Sequence, residues 1–416
     1  MMDKLLKEMK NLFTSKLFTG SIIMLVGTNF VNFLAYIYHL FFGRILGPSL
    51  YGELAAIISL ISLFTSIFGF FSVVIVKFVS MEDNEGRKRL FSWLGGIIKK
   101  VAIVCSVILL LSYPLIAKIL FTNSLSAIQV GLIMFFTFFI IFNNSFLEGL
   151  LRFKELVIVG MVTWSIRIVA GYLLFRLGFS LSGVVFAILV SNLVSAWIGK
   201  NFVRIKGVKF GSLIYEKRKE IVKYALPVLI MTVATGAFIS QDVVLARYFL
   251  SPHDSGIYAA LATMGKMVLY ASVPIIGVMF PLVSQSHTKG FKTGKILLLS
   301  GMATFFVGLF VVALYHFFPE TAVRVLYGQK YLTIVPYLGR IGIVYLIYSL
   351  DLLLVSYFLS RSKVVPAYLT LILALTQVIG ITLFHSGIGQ IVNVSTFSVL
   401  LLFGALNIYS VAKLGK

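Results

Sequence analysis

The chain has 416 residues, of which 59% are hydrophobic and 12% are charged, about half the charged share of an ordinary soluble domain. This composition excludes a water-soluble monomer. The formal net charge is +22, but most Lys and Arg residues lie in short segments between long apolar runs, which argues against a nucleic-acid partner. Cys105 is the only cysteine, so the chain forms neither an internal disulfide bond nor a cysteine-based metal site.

The first segment, residues 1–16, reads MMDKLLKEMKNLFTSK. Its apolar residues recur at helical spacing with lysines between them. This pattern predicts an interfacial helix that leads into the first span, and it differs from a cleavable signal peptide.

The apolar runs that follow are each long enough to cross a bilayer, which takes about 20 helical residues. They are continuous rather than alternating, which indicates helices and not a transmembrane barrel. We therefore predict an all-α integral membrane protein with about twelve transmembrane helices. The predicted spans are residues 17–43, 52–79, 98–121, 125–147, 156–178, 180–201, 222–249, 257–283, 295–318, 334–359, 363–384 and 388–412.

The basic residues predict the orientation, because cytoplasmic loops carry an excess of Lys and Arg. Of the 36 basic residues, 26 fall in the N-terminal tail, the C-terminus and every second loop. Both termini are therefore predicted to lie in the cytoplasm. Residues 319–333 form the longest of the predicted outward loops.

The pattern L-x-P-x-x-x-G-x-x-A-A occurs twice without a gap, starting at Leu46 and again 204 residues later at Leu250. Six spans separate the two copies, so both face the same way, which indicates a parallel repeat. We predict two six-helix lobes, residues 17–201 and 221–416, related by a pseudo-two-fold axis along the membrane normal. A cytoplasmic basic connector, residues 202–220, joins them outside both lobes. The alternative is that two tight helix–turn–helix corners are similar by chance. Pro ends a helix, Gly accepts a tight turn and paired Ala allows close helix packing, so all three suit such a corner.

The first copy lies within FGRILGPSLYG, residues 42–52. This segment resembles the F-x-R-x-L-G-P-x-x-Y-G signature of Wzx-type polysaccharide and O-antigen flippases, in the multidrug/oligosaccharidyl-lipid/polysaccharide exporter (MOP) superfamily. Pro227, Asp242 and the SGIY segment at 255–258 are also similar to that family.

The resemblance implies a MATE-like fold with alternating access. It also implies that the cargo is an oligosaccharide linked to polyprenyl pyrophosphate. The protein would move this cargo from the inner to the outer leaflet of a prokaryotic cytoplasmic membrane, for cell-surface polysaccharide biosynthesis. The implied partners are this lipid-linked substrate, membrane lipids, a polysaccharide polymerase and glycosyltransferases.

Cations at membrane depth usually face a cavity or a partner. Arg167 lies near the middle of the fifth span, and Lys266 and Arg340 lie within the eighth and tenth. A cavity lined by these side chains suits a pyrophosphate, since arginine engages phosphate oxygens with two donors. The alternatives are a structural bridge for Arg167 and snorkelling for the other two. Lys77 and Arg247 are expected to snorkel.

Asp242 and Asp351 are the carboxylates predicted well inside spans. Each is a candidate for binding Na⁺ or a proton and coupling transport to a gradient, or for neutralising a buried cation. Asn29 and Asn32 share one face of the first span and suit sugar hydroxyls, although interhelical hydrogen bonding is the commoner use of membrane Asn.

Catalytic patterns are absent from the sequence. The five histidines are dispersed, and neither H-E-x-x-H nor a phosphate-binding G-x-x-x-x-G-K-[ST] loop occurs. We therefore predict no enzyme and no cofactor.

The rival interpretation is a multidrug or small-solute exporter of MATE or major-facilitator type, because residues 83–88, DNEGRK, partly match the D-x-x-G-R-K core of the major-facilitator loop. A membrane-embedded glycosyltransferase or polymerase is disfavoured by the short outward loops.

Overall fold

The computed structural model describes residues 16–205, 208–288, 291–361 and 363–414. The predicted interfacial helix lies outside these residues, apart from Lys16. Regular structure in the described part of the chain is helical throughout, which confirms the predicted all-α class. The α-helices in chain order are α1 Lys16–Phe68, α2 Phe70–Met81, α3 Asn84–Leu111, α4 Tyr113–Leu120, α5 Ser124–Gly149, α6 Phe153–Leu174, α7 Ser180–Val203, α8 Arg218–Phe249, α9 Pro252–Thr288, α10 Gly294–Phe317, α11 Pro319–Leu326, α12 Val335–Ser360, α13 Val365–Leu383 and α14 Ile388–Leu414.

Two glycines interrupt long helical stretches. Gly47 has a φ of 70° inside α1, and Gly178 has a φ of 91° in the π-helical segment Phe175–Phe179 between α6 and α7. Both conformations favour glycine, which has no Cβ to clash with the following carbonyl. Ten described segments are long and apolar enough to cross a membrane, and two of them contain these breaks. Dividing those two at the glycines gives twelve segments. The crossing of the membrane by all twelve stays a prediction.

The structure departs from the predicted boundaries at two charged or polar segments. α3 begins at Asn84, not near residue 98, because Asp83 caps its first turn by accepting a hydrogen bond from Gly86 N at 2.7 Å. This cap accounts for the DNEGRK segment by local helix chemistry. The predicted outward loop 319–333 contains α11 and a 3₁₀ turn, Gln329–Ile334, so it is largely helical.

The described helices fall into two compact units. Among the described residues, the first holds 16–39, 69–117 and 123–225. Within it α7 packs against α5 and α6, and α5 packs against α2 and α3. The connector belongs to this unit, and Tyr215 in it donates a hydrogen bond to Glu82 Oε1 at 2.7 Å.

The second unit holds residues 40–68, 118–122 and 226–416. Its centre is α12, which packs against α9, α10 and α14, while α13 packs against α14. Most residues of α12 are buried, and apolar residues occur on all of its faces, as expected for a helix enclosed by others. The predicted lobe boundaries at residues 201 and 221, and the symmetry relating the lobes, stay predictions.

Candidate transport site

Arg167 lies on α6 of the first unit, where neutral groups hold its guanidinium. Its Nε donates to Ser191 Oγ at 3.0 Å, and its Nη2 donates to Asn192 Oδ1 at 2.7 Å. Both acceptors lie on α7, one helix away. The guanidinium carbon is also 4.6 Å from the centre of the Trp164 ring, which is a cation–π distance. The side chain is therefore held in position by neutral groups, and none of these contacts neutralises its positive charge.

A polar network extends this anchor across three apolar helices. Asn192 donates from Nδ2 to Thr137 Oγ1 on α5 at 3.0 Å. Nearby, the hydroxyls of Thr163 on α6 and Ser195 on α7 are 2.6 Å apart. Because these groups are buried in apolar surroundings, satisfied hydrogen bonds hold α5, α6 and α7 in register. A guanidinium has five N–H donors, and such donors can also bind an anion such as a phosphate.

Asn29 and Asn32 are both exposed on α1. They belong to the same compact unit as Arg167. Three of the five predicted substrate-binding residues therefore lie in the first unit. The other two, Lys266 and Arg340, lie in the second.

Asp242 on α8 is buried and well satisfied. Its Oδ2 accepts a hydrogen bond from Tyr258 OH at 2.8 Å, and its Oδ1 accepts one from Val243 N at 2.8 Å. Lys266 lies near enough for the two charges to attract. Asp242 also lines a small cavity of about 10 Å³, shared with Tyr345 and Gln377, which has room for about one water molecule.

Asp351 on α12 is fully buried. Within the described residues, neither of its carboxylate oxygens has a hydrogen-bond partner. Arg340 does not pair with it, because that side chain is exposed and donates to Asn393 Oδ1. A carboxyl group in such surroundings is stable when it holds a proton or a cation. Of the predicted pairings, the structure therefore brings together Asp242 and Lys266.

The two corners that carry the repeated pattern pack against each other in the second unit. A Cβ added to Gly52 would lie 2.6 Å from Gly256 N, and one added to Gly256 would lie 1.7 Å from the carbonyl oxygen of Pro48. The backbones therefore touch directly at the matching glycines. We name this contact between residues 46–56 and 250–260 the corner contact.

The FGRILGPSLYG segment has a structural role in the same unit. Arg44 donates from Nε to Leu326 O at 3.1 Å, so it binds a carbonyl at the C-terminal end of α11. Helix C-termini carry unsatisfied carbonyls that cations satisfy. Tyr51 OH lies 3.0 Å from Tyr327 OH and 3.3 Å from Thr263 Oγ1. These bonds attach the first corner to helices of the second half of the chain.

Arg247 does not snorkel, so that expectation is wrong. Its side chain is 3% exposed, because residues 118–122 cover the last turn of α8. Its Nε donates to Leu120 O at 2.8 Å, and its Nη2 donates to Phe121 O at 3.1 Å. These contacts fix the link between α4 and α5.

Glu53 is a residue that the sequence prediction missed. Its Oε2 lies 3.8 Å from Nη2 of Arg247, and its Oε1 accepts a hydrogen bond from Thr122. Ser255 completes the cluster, with its Oγ 3.1 Å from Nη1 of Arg247. The sequence signal that could have identified Glu53 and Ser255 is their position next to the repeated glycines, Gly52 and Gly256.

Several solved structures are similar to this chain along nearly its whole length. The lipid II flippase MurJ in its inward closed conformation has a TM-score of 0.77 and 14% identity, over 94% of this chain and 88% of that one. An inward-facing multidrug resistance MATE family transporter of the MOP superfamily has a TM-score of 0.71 and 15% identity, over 92% and 95%. An MOP superfamily transporter from Pyrococcus furiosus has a TM-score of 0.64 and 18% identity, over 95% of both chains. No curated protein sequence matches the chain.

The apolar helices make this a multi-pass membrane protein, and the similar structures show that it has a MATE-like fold. The predicted fold is thereby confirmed. Residues 17–287 match the family described as polysaccharide biosynthesis protein, and the chain belongs to that family.

Proposed function

We propose that this protein is a flippase for a lipid-linked oligosaccharide or polysaccharide repeat unit. It moves the polyprenyl-pyrophosphate-linked cargo from the inner to the outer leaflet of a prokaryotic cytoplasmic membrane, with both termini in the cytoplasm. Membership of the polysaccharide biosynthesis family supports the cargo class, and the fold supports a transport role.

The observation that carries the proposal is the setting of Arg167. Neutral acceptors on Ser191 and Asn192 hold the guanidinium. An arginine that is held in this way, inside an apolar bundle, keeps donors and a full charge for an anionic ligand. The pyrophosphate of the cargo supplies that anion. Asn29 and Asn32, which are exposed in the same unit, suit the sugar hydroxyls.

Alternating access requires contacts that open and close. The corner contact, with the Glu53–Arg247 pair beside it, is the closure that we assign to the outward side. It joins two segments 204 residues apart in the sequence. Of the two candidates for coupling transport to a Na⁺ or proton gradient, Asp242 and Asp351, we assign the coupling to Asp351, because its carboxylate has no hydrogen-bond partner among the described residues.

A complementation assay tests the role of Arg167. Arg167→Ala removes the charge and both donor arms, and Arg167→Lys keeps the charge but loses the planar fork. We expect both to impair export in a flippase-deficient strain at normal membrane abundance, with the lysine variant less impaired. Arg176→Ala is the matched control, because Arg176 is an exposed arginine in the same unit, and it should complement fully.

Two outcomes would contradict this assignment. Full complementation by Arg167→Ala removes the residue from the cargo site. A fall in folded protein that accounts for the lost export shows a structural role, since each buried polar group left without its hydrogen bond costs about 1 to 3 kcal/mol. Export of small cationic drugs with no effect on lipid-linked sugars would instead identify a multidrug exporter.

A further inference from the structure

A cationic cavity lies in the first unit, where the connector packs beside α3 and the end of α7. Its volume is about 700 Å³, and four cations line it. Lys99 comes from α3, Lys200 from the last turn of α7, and Arg204 and Lys209 from the chain that follows α7. All four fall on the predicted cytoplasmic side.

Aromatic packing seats the connector against this cavity. The Phe210 ring lies 5.3 Å from the Phe91 ring and 5.7 Å from the Phe142 ring, measured between centroids. A Cβ on Gly95 would lie 2.2 Å from Phe210 Cδ1, so glycine at that position makes the space for the ring.

Hydrogen bonds to α3 fix the backbone beside Phe210. Ser92 Oγ donates to Lys209 O at 2.7 Å, and Gly211 N donates to Ser92 O at 2.7 Å. The position of Lys209 at the rim is therefore set by packing and hydrogen bonds on both sides of it.

The four cations are not balanced by acids of the described chain. The neighbouring carboxylates have other partners: Glu82 binds Lys217 at 2.6 Å, and Glu216 binds Arg89 at 3.0 Å. Four like charges around one cavity repel each other unless an anion lies between them. Topology alone places lysines and arginines on the cytoplasmic side, but it does not require them to surround an aromatic floor.

We propose that this cavity binds the phosphate-bearing head of an anionic lipid. The cations bind the phosphate, and Phe91 and Phe210 contact the first carbons of the lipid chains. Clustered basic residues on the cytoplasmic side attract anionic headgroups, and each cation contributes a similar amount to the binding free energy. The headgroup has two sources, an anionic phospholipid of the membrane or an isoprenoid pyrophosphate. The isoprenoid source rests on the function proposed above, whereas the phospholipid source is independent of it.

Native mass spectrometry of the delipidated full-length protein tests the site. Phosphatidylglycerol, undecaprenyl pyrophosphate, phosphatidylcholine and inorganic pyrophosphate are added separately. We expect Lys200→Gln/Arg204→Gln to weaken binding of an anionic lipid by about tenfold or more, since each cation near a membrane surface contributes to it. Lys154→Gln/Lys219→Gln removes two exposed cations outside the cavity and should bind like the unaltered protein.

Loss of phosphatidylglycerol binding identifies a membrane phospholipid, and loss of undecaprenyl pyrophosphate binding alone identifies the isoprenoid. Either result supports the site. Equal weakening by the two double variants, no preference over phosphatidylcholine, or binding of inorganic pyrophosphate without either anionic lipid would overturn it. Thermal unfolding of each variant establishes that it is folded, and Phe210→Ala, which keeps all four cations, provides a second way to disturb the cavity.

Discussion

Asp242 and Asp351 show how two buried carboxylates of the same unit come to have different roles. Asp242 accepts hydrogen bonds from Tyr258 and Val243 and attracts Lys266. Asp351 has no hydrogen-bond partner among the described residues. A satisfied carboxylate stabilises its surroundings, whereas an unsatisfied one favours binding of a proton or a cation.

Neutralising each aspartate in turn separates these roles. Asp242→Asn should lower the melting temperature of the purified protein, because it removes the negative charge that attracts Lys266. Asp351→Asn should leave the melting temperature unchanged or raise it, and should abolish the dependence of transport on an imposed Na⁺ or proton gradient in proteoliposomes. A large destabilisation by Asp351→Asn, or transport that keeps its gradient dependence, would contradict the coupling role.

At the scale of elements, the corner contact depends on the absence of two side chains. Gly52 and Gly256 bring two helix starts together at a distance that no Cβ allows. Close backbone approach of this kind is the usual reason for small residues between membrane helices. The Glu53–Arg247 cluster then joins the same two corners by charge.

Gly256→Ala should separate the corners. A methyl group 1.7 Å from the Pro48 carbonyl oxygen must displace backbone, and overpacking of this type costs about 1 to 3 kcal/mol. We expect a lower melting temperature in detergent. Gly277→Ala on the same helix α9 is the control, since a Cβ there meets no atom within 4 Å, and it should be neutral or stabilising. Equal melting temperatures for the two variants would show that the corners are loosely packed.

The connector is held on the first unit by an ion pair that depends on pH. Lys217, and then Tyr215, lower the pKa of Glu82 by hydrogen bonding to its carboxylate. This contribution to stability is therefore fully present above the ordinary carboxyl pKa of about 4.3, and it is lost as the pH falls through the lowered native value. Lys217 is 47% exposed, so solvent screens the pair and its contribution to stability is small.

Glu82→Gln should accelerate amide hydrogen exchange in residues 208–217 by up to about fivefold at pH 7, and the difference from the unaltered protein should shrink in acid. Glu85→Gln is the control, because Glu85 pairs with Lys88 on α3 at 2.7 Å and forms no ion pair with the described residues of the connector. Identical exchange of Glu82→Gln and the unaltered protein at pH 7 would show that aromatic packing alone seats the connector.

For the whole molecule, the positions of the apolar helices could be predicted from the sequence, because lipid requires continuous apolar segments of a minimum length. The breaks at Gly47 and Gly178 could be predicted as well, since glycine and proline interrupt helices there. The predicted all-α class is confirmed by the helices, and the predicted MATE-like fold by the similar structures.

Contacts between distant segments could not be predicted in the same way. Arg247 is buried because residues 118–122 cover it, and no local pattern around Arg247 encodes that cover. Asp242 meets Tyr258 through the turn that joins α8 and α9, which periodicity alone does not specify. The partners of Arg167 lie 24 and 25 residues away on the next helix, so the sequence indicates the buried charge but not what holds it.

Cysteine labelling tests the predicted orientation. Ser255 is buried at 2% exposure and is unsuitable for labelling, whereas Ser49 and His253 are exposed. In a Cys105→Ala background, Ser49→Cys and His253→Cys should react with a membrane-impermeant thiol reagent in intact cells. Lys154→Cys should react only after permeabilisation. The reverse pattern would invert the topology.

The membership of the second compact unit has a consequence for recombination. Residues 40–68 and 118–122 precede the connector in the chain, yet they pack with residues 226–416. A chimera of two homologues joined at the connector would therefore set the first corner of one parent against the second corner of the other. Its glycines, its Glu53–Arg247 pair and its tyrosine bonds would have to match across that junction. We therefore expect a functional chimera to require both corners and their surroundings from the same parent.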